Sequence, residues 1–217
     1  MTAFLPLLVT LAAYLVGSLS FAVIVSRLMG LSDPRTYGSG NPGATNVLRS
    51  GSKAAAILTL VLDALKGYAP VALVVHFGPA HGLGEWTVAG VALAAFLGHL
   101  WPVFFRFKGG KGVATAAGAL FGIDPLLGAA TILTWLIIAA FFRYSSLASI
   151  VAAVFAPFWQ LLTQGPDPIA AAIGAMGLLL VWRHSANIRR LLAGTEGRLG
   201  KSASPPPAAK ARRAARH

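Results

Sequence analysis

Long apolar runs, separated by short polar segments, constrain this chain more than any other feature of its sequence. A helix that crosses a bilayer needs about 20 mainly apolar residues, with about 17 as the lower limit. Seven runs are candidates: 4–25, 54–75, 86–105, 113–121, 125–142, 147–162 and 169–182. The sequence therefore predicts an all-α polytopic membrane protein with seven transmembrane helices.

The first and the fourth run each need a further argument. Residues 4–25 resemble a signal peptide, but no basic segment precedes them and no small-residue cleavage pattern follows, so we predict a retained helix. Residues 113–121 form the shortest run and fit either a half-helix or a full span. We predict a span, because the charges of the loops require one.

Lysine and arginine are distributed unevenly over the predicted loops. Cytoplasmic loops carry the excess of these residues, and the segments 76–84, 122–124 and 163–167 contain none of them. We therefore place these three segments outside, with the N-terminus outside and the C-terminus in the cytoplasm. If 113–121 did not cross, the later loops would change sides and this agreement would be lost.

Charge and composition restrict the partners. The formal net charge is +12, but only 11% of the residues are charged, about half the fraction of a soluble domain. The basic residues lie between apolar runs, so we expect contacts with membrane lipids and none with nucleic acid. We expect one membrane domain, 1–200, and a basic, disordered tail, 201–217, against anionic headgroups.

Small and flexible residues crowd the first predicted inside loop. Its backbone N–H groups and hydroxyls can surround an anion, and the guanidinium of Arg49 matches phosphate oxygens. The same residue types are common in ordinary turns, so a plain polar connection is an equal alternative. The candidate binding residues of this loop are Gly38, Ser39, Gly40, Asn41, Gly43, Thr45, Asn46 and Arg49.

A second glycine-rich segment precedes the fourth run and contains Lys108, Gly109, Gly110, Lys111 and Gly112. Its glycines let a phosphate approach the backbone, and the N-terminus of the next helix adds partial positive charge. The spacing of a Walker A loop is absent and no strand precedes the segment, so nucleotide hydrolysis is not predicted. Simple anchoring at the headgroups is an alternative for Lys108 and a weaker one for Lys111.

Polar residues after the last run, and two charges within the second, complete the candidates. On a continuous helix His184 and Asn187 would point the same way and bind one ligand, although an interfacial histidine is more often structural. Glu196 either orients a cationic side chain or is a solvated acid. Asp63 and Lys66 are predicted to form a structural ion pair, because isolated charges are costly in a membrane.

Several chemistries lack their sequence motifs. The chain has no cysteine, no His-x-x-x-x-Asp acyltransferase box, no carboxylate-rich magnesium motif and no Gly-x-Ser-x-Gly elbow. We therefore predict neither a metal nor a cofactor.

Four segments, 38–49, 62–67, 98–115 and 184–196, closely resemble the bacterial acyl-phosphate:glycerol-3-phosphate acyltransferase family. The resemblance implies transfer of the acyl group of an acyl phosphate to the 1-hydroxyl of sn-glycerol 3-phosphate, giving lysophosphatidic acid and inorganic phosphate. It implies a seven-helix enzyme of phospholipid synthesis in the bacterial inner membrane, with a cytoplasmic active site and no metal or coenzyme A. The implied partners are glycerol 3-phosphate, acyl phosphate and membrane lipids, without an obligate protein partner.

The resemblance also implies that five residues hold the substrate phosphates and act in catalysis: Ser39, Arg49, Lys111, His184 and Asn187. An acyl phosphate is already activated, so we expect direct transfer without a covalent acyl-enzyme. The proton acceptor is either His184 or a phosphate oxygen of the donor. A transporter for glycerol phosphate or phosphate is the alternative function, but transporters place their site near the midplane between repeats, and no repeat is evident here.

Overall fold

The structure is a computed structural model that describes residues 4–200. The α-helices of the described residues are α1 (Leu5–Gly17), α2 (Phe21–Leu28), α3 (Ala44–Val47), α4 (Lys53–Phe77), α5 (Glu85–Leu100), α6 (Val113–Ile123), α7 (Pro125–Phe142), α8 (Ser145–Gln164), α9 (Pro168–Arg183) and α10 (Ser185–Leu192). The tail predicted for 201–217 lies outside the described residues. Its disorder and the domain boundary stay predictions.

Four segments of the described chain are long and apolar enough to cross a bilayer by themselves. They are α4, α7, α8 and the region Glu85–Phe105, which contains α5. Two pairs reach that length only together, α1 with α2 across a bend of 44°, and α9 with α10 across a bend of 56°. Helix α6 has 11 residues and is too short to span a bilayer alone. The predicted all-helical membrane class is confirmed, whereas seven spans and their orientation stay predictions.

The first apolar run is not the single helix that the sequence predicts. Residues 18–20 separate α1 from α2, so the prediction of one helix over 4–25 is wrong. The carbonyl oxygen of Leu19, in this break, accepts a hydrogen bond of 2.6 Å from Lys66 Nζ. Lys66 also forms the predicted ion pair with Asp63, at 2.7 Å. A buried cation thus adds a second donor to a carbonyl in the break that also accepts from the N–H of Phe21 at 3.1 Å.

Glycines bring α6 into close contact with α4. A Cβ on Gly118 would lie 1.9 Å from the carbonyl oxygen of Ala64, and a Cβ on Gly67 would lie 2.1 Å from that of Thr115. Only hydrogen fits at either position, so the two helix backbones touch at two points one turn apart. This contact fixes the first turn of α6, and the segment before it, at one place in the bundle.

Glycines bring α1 and α5 into close contact in the same way. A Cβ on Gly17 would lie 2.1 Å from the carbonyl oxygen of Ala95, and a Cβ on Gly98 would lie 2.3 Å from that of Tyr14. Helix α5 also contacts α4, α6 and α9. Its side chains therefore form the centre of the largest apolar cluster, in which Phe96 is completely buried.

Large apolar side chains on the outer helices face away from the bundle. Leu8 of α1, Leu60 of α4, Phe141 of α7 and Phe158 of α8 are exposed although they are apolar. A surface of this kind is unfavourable in water and is normal for helices that contact lipid. The outer faces therefore agree with a multi-pass membrane protein.

We predict that Gly118→Ala destabilises the bundle, because the added methyl group would collide with the backbone of α4. The matched control is Gly174→Ala in α9, where a new Cβ meets no atom within 4 Å. The change at Gly118 should lower the free energy of unfolding by about 1–3 kcal/mol, and the control should raise it by about 0.5–1 kcal/mol. Thermal unfolding in detergent measures both, and equal melting temperatures would contradict the close contact.

Candidate active site

The first loop, which connects α2 to α4, is organised around the side chain of Asn46. This residue is only 2% exposed. Its Oδ1 accepts hydrogen bonds from the N–H of Ser39 at 3.0 Å and from Nη1 of Arg49 at 3.3 Å, and its Nδ2 donates to two carbonyl oxygens of the same loop at 2.6 and 3.1 Å. Asn46 therefore fixes Ser39 and Arg49 relative to each other, and its own polar atoms are occupied within the loop.

Two glycines of the first loop have backbone conformations that other residues avoid. Gly38 and Gly40 have φ of 59° and 66°, and a Cβ on Gly38 would lie 2.3 Å from Asn46 Oδ1. Ser39 is exposed between them, so the glycines allow the turn that presents it. The other predicted residues of this loop are half-buried or exposed: Asn41, Gly43 and Thr45.

The glycine loop, residues 108–112, lies folded on the C-terminal end of α5. The N–H of Gly110 donates to the carbonyl oxygen of His99 at 3.1 Å. A Cβ on Gly110 would lie 2.3 Å from His99 Nε2 and 2.9 Å from the carbonyl oxygen of Pro42, and a Cβ on Gly109 would lie 2.1 Å from that of His99. Because these residues lack side chains, the glycine loop packs between α5 and the first loop.

Gly112 ends the glycine loop and is needed for a different reason. Its φ is 83°, and a Cβ there would lie 2.3 Å from a ring carbon of Phe96. The residue therefore directs the chain into α6 and packs against Phe96 at the centre of the core.

A cavity of about 620 Å³ opens between the first loop and the glycine loop. Cationic and aromatic side chains line it together: Arg35, Arg106, Lys108, Phe104 and Phe105. Asp33 pairs with Arg35 at 2.6 Å, whereas Lys108 is exposed. Gly40 and Gly109 line the same cavity, so three of the predicted binding residues meet there.

A chain of hydrogen bonds joins the glycine loop to the C-terminal part of the protein. Lys111 Nζ donates to Oδ1 of Asn187, and Asn187 Nδ2 donates to Glu196 Oε1 at 2.6 Å. Glu196 also accepts from Ser146 Oγ at 2.7 Å and from Arg190 Nε at 2.7 Å. Residues predicted from two separate sequence segments therefore meet. The ion pair with Arg190 agrees with the first alternative for Glu196, in which this residue orients a cationic side chain.

The electrostatic surroundings of Lys111 are unusual for a lysine. Burial is the main reason that its pKa falls to about 8, and the positive charges of Arg190, Arg183 and Arg49 lower the pKa as well. Glu196 opposes this shift. The ammonium group remains charged at neutral pH, within reach of several other cations, so an anion bound there would be strongly attracted.

Glu196 stays ionised although it is partly buried. Burial raises its pKa, but hydrogen bonds from Ser146, Asn187 and Arg190 outweigh burial and leave the pKa below the ordinary value. A charged Glu196 therefore orients the amide of Asn187 with its oxygen toward Lys111.

The turn between α9 and α10 contains His184, which is 2% exposed. The helix does not run straight through this residue, since α9 ends at Arg183 and α10 begins at Ser185 with a bend of 56°. Nδ1 of His184 lies 2.8 Å from the carbonyl oxygen of Leu180. A carbonyl only accepts, so Nδ1 carries the proton, and the neutral ring has its free lone pair on Nε2.

Arg183 is a residue of the site that the sequence reasoning missed. Its guanidinium donates to the carbonyl oxygens of Gly109 and Gly110 over 2.8–3.0 Å. Arg183 stands just before the recognised segment 184–196, and by sequence it is one more basic residue at a helix end. Only its position beside the glycine loop distinguishes it.

His99 was also missed, and it lies in a buried polar cluster beneath the glycine loop. Its Nδ1 lies 3.2 Å from Thr115 Oγ1 and 3.7 Å from Asp63 Oδ1. A hydroxyl, an imidazole and a carboxylate also form catalytic triads, but in a triad the hydroxyl and the carboxylate face opposite ring nitrogens. Here both face Nδ1, so His99 cannot relay a proton from Thr115 to Asp63.

The described residues therefore bring Lys111, Asn187 and Glu196 into direct contact, with His184 at the adjoining bend. Ser39 and Arg49 are held together on the first loop. Among residues 4–200, no three histidine or acidic side chains converge as metal ligands. The roles of these residues in binding and catalysis stay predictions, as does the absence of a metal.

The fold and the site define an integral membrane protein with a basic, glycine-lined polar site at one end of a helical bundle. The sequence model of the family described as glycerol-3-phosphate acyltransferase matches residues 7–194. The glycerol-3-phosphate acyltransferase of Cupriavidus taiwanensis is 66% identical over 195 residues, which cover 90% of this chain and 96% of that protein. That of Paraburkholderia phytofirmans is 63% identical over 204 residues, covering 94% and 95%.

Two solved structures are similar as well. The crystal structure of PlsY (YgiH), an integral membrane glycerol 3-phosphate acyltransferase, in its glycerol 3-phosphate form has a TM-score of 0.84 and 42% identity, covering 90% of this chain and 96% of that chain. Its lysophosphatidic acid form has a TM-score of 0.82 and 40% identity, covering 90% and 95%. This chain belongs to the glycerol-3-phosphate acyltransferase family of membrane enzymes, which confirms the predicted resemblance.

We predict that the activity falls at alkaline pH as Lys111 loses its charge. With a pKa of about 8, the ammonium group is present below that pH and is lost above it, so kcat/KM should fall by about tenfold per pH unit at high pH. Lys111→Arg is the comparison, because arginine stays charged and its residual activity should lack this fall. A wild-type profile that stays flat to pH 10 would rule out a required Lys111 charge.

Proposed function

We propose that this enzyme transfers the acyl group of an acyl phosphate to the 1-hydroxyl of sn-glycerol 3-phosphate. The products are lysophosphatidic acid and inorganic phosphate. The observation that carries the proposal is the contact of Lys111 with Asn187, beside Arg49, Arg183 and Arg190. Both proposed substrates bear a phosphate, and such a group of cations suits two anions that must react together.

Direct attack needs no residue that becomes acylated. The O1 atom of glycerol 3-phosphate bonds to the acyl carbon, and the bond from that carbon to the phosphate oxygen breaks. Inorganic phosphate leaves with the bonding electrons. Two features support this route over an acyl-enzyme: the chain has no cysteine, and the hydrogen bonds of residues 4–200 pair no hydroxyl with a histidine in triad geometry.

The proton of the attacking hydroxyl has two acceptors in this proposal. One is Nε2 of His184, whose lone pair is free because Nδ1 donates to Leu180. The other is an oxygen of the departing phosphate. Either acceptor requires the substrates to be held in a fixed geometry, and Ser39, Arg49 and Lys111 supply the polar contacts for that.

The remaining predicted residues shape the pocket in this proposal. Gly40, Lys108 and Gly109 line the cavity between the two loops. The polar side chains of the first loop complete one wall, and Glu196 holds the amide of Asn187 in place for the substrate. The residues assigned to substrate binding therefore comprise Gly38, Ser39, Gly40, Asn41, Gly43, Thr45, Asn46, Arg49, Lys108, Gly109, Gly110, Lys111, Gly112, His184, Asn187 and Glu196.

We further propose seven spans in the bacterial inner membrane, with the N-terminus outside and the site in the cytoplasm. The contacts between distant segments support this topology. The glycine loop touches the first loop at Pro42, Lys111 contacts α10, and the N–H of Leu199 donates to the carbonyl oxygen of Arg143 at 2.7 Å. The predicted inside segments therefore share one end of the bundle, as a crossing α6 requires.

The assay that tests this function uses purified protein in detergent or lipid cubic phase, without added metal or coenzyme A. We expect inorganic phosphate release that depends on both glycerol 3-phosphate and acyl phosphate, with an equal amount of lysophosphatidic acid. Phosphate release without lipid product would exclude the transferase reaction. Uptake of glycerol phosphate into liposomes by folded but catalytically inactive protein would favour the transporter instead.

We predict that His184→Gln separates the two proton acceptors. If His184 is the base, kcat should fall by about 100- to 10,000-fold while glycerol 3-phosphate binding is retained. If a phosphate oxygen is the base, kcat should survive and KM should change. Steady-state kinetics together with calorimetric binding of glycerol 3-phosphate decide between them. Arg189→Gln, on the exposed side of α10, is the control for a change near this bend.

A further inference from the structure

The proposed chemistry uses Arg183 only as one of several cations near Lys111, although its hydrogen bonds are specific. Its Nη2 donates to the carbonyl oxygens of Gly109 and Gly110, both at 2.8 Å, and its Nε donates to that of Gly110 at 3.0 Å. Among residues 4–200 it forms no ion pair with an acid. A permanent cation at the end of α9 therefore donates its hydrogen bonds to two backbone carbonyls of the glycine loop.

The opposite sides of these peptide groups are constrained as well. The N–H of Gly110 donates to the carbonyl oxygen of His99 at 3.1 Å, so the peptide between Gly109 and Gly110 is held at both ends. The carbonyl of the next peptide points at Arg183. Because the described chain has no cis peptide bond, the N–H of Lys111 points away from Arg183. Within residues 4–200 no backbone carbonyl accepts a hydrogen bond from this N–H.

A glycine loop needs such a constraint if it is to bind an anion. Peptide groups next to glycine rotate easily, because no Cβ restricts the backbone. After a flip of the peptide, a carbonyl oxygen would replace the N–H and would repel a phosphate. Charge-assisted hydrogen bonds to the carbonyl select one orientation, and they also polarise the N–H at the other end of the same peptide.

The bend between α9 and α10 couples this constraint to the catalytic lysine. Arg183, before the bend, holds the backbone that leads into Lys111. Asn187, after the bend, accepts from Lys111 Nζ. Residues on either side of one bend therefore position both the peptide group and the ammonium group of Lys111. The buried His184 lies at this bend.

We propose that Arg183 is a positioning residue that clamps the glycine loop, so that the N–H and the ammonium group of Lys111 serve the same phosphate. The inference rests on the proposed function, which supplies the phosphate. In this role Arg183 does not touch the substrate and acts through the two carbonyl oxygens. Its guanidinium donates from two nitrogens, Nε and Nη2, that are fixed in one plane, whereas an ammonium group donates from a single nitrogen that rotates freely.

Kinetics of three variants test the clamp. Arg183→Gln should lower kcat/KM by about 10- to 100-fold, mainly through KM for the phosphate substrates, because the loop is misplaced and the chemistry is intact. Arg183→Lys keeps the charge and should lie between Arg183→Gln and the wild type. Arg189→Gln removes an exposed arginine of α10 and should match the wild type. Wild-type kinetics of Arg183→Lys would overturn the proposal, since charge alone would then suffice.

Hydrogen exchange followed by mass spectrometry tests the same clamp without any turnover. The amides of residues 108–112 should exchange faster in Arg183→Gln than in the wild type, and Arg189→Gln should leave them unchanged. Unchanged exchange in Arg183→Gln would overturn the clamp. If that variant does not fold, the same two measurements on Arg183→Lys decide. If the wild-type protein fails the transferase assay, the proposed function is wrong. The hydrogen-exchange measurement would still test the clamp, because it does not depend on turnover.

Discussion

The contact between α4 and α6 is the constraint on which the site depends. A helix of 11 residues cannot fix its own position in a bilayer, because it is shorter than the hydrocarbon core. Gly67 and Gly118 allow its backbone to lie directly on that of α4, and van der Waals contact of this kind is a main source of helix association in lipid. Since Lys111 stands just before α6, this packing also determines where its ammonium group is.

Polar groups at this end of the bundle are held by one another and only to a small extent by regular secondary structure. Asn46 satisfies the first loop, Arg183 and His99 satisfy the glycine loop, and Glu196 joins Asn187 to Ser146 and Arg190. In a partly desolvated setting each bond is stronger than in water, and an unmade bond is costly. The network therefore keeps several cations close together at this end of the bundle.

At both helix breaks a side chain donates to a backbone carbonyl that also accepts from a backbone N–H. At the first, Lys66 donates to Leu19; at the second, His184 donates to Leu180. Irregular backbone is tolerated within a membrane protein where protein groups satisfy it. The second break has a chemical consequence, because it turns α10 so that Asn187 faces Lys111 while Arg183 remains beside the glycine loop.

The sequence by itself determined the helical membrane class, because long apolar runs have few other stable structures in a bilayer. It also determined the family, through segments that are individually distinctive, and the ion pair of Asp63 with Lys66, which are three residues apart. Only the tertiary structure decided which groups meet at the site. Lys111 and Asn187 are 76 residues apart, and Arg183 is 73 residues from Gly110. Local periodicity carries no information about such pairs, since they follow from how helices pack and where they break.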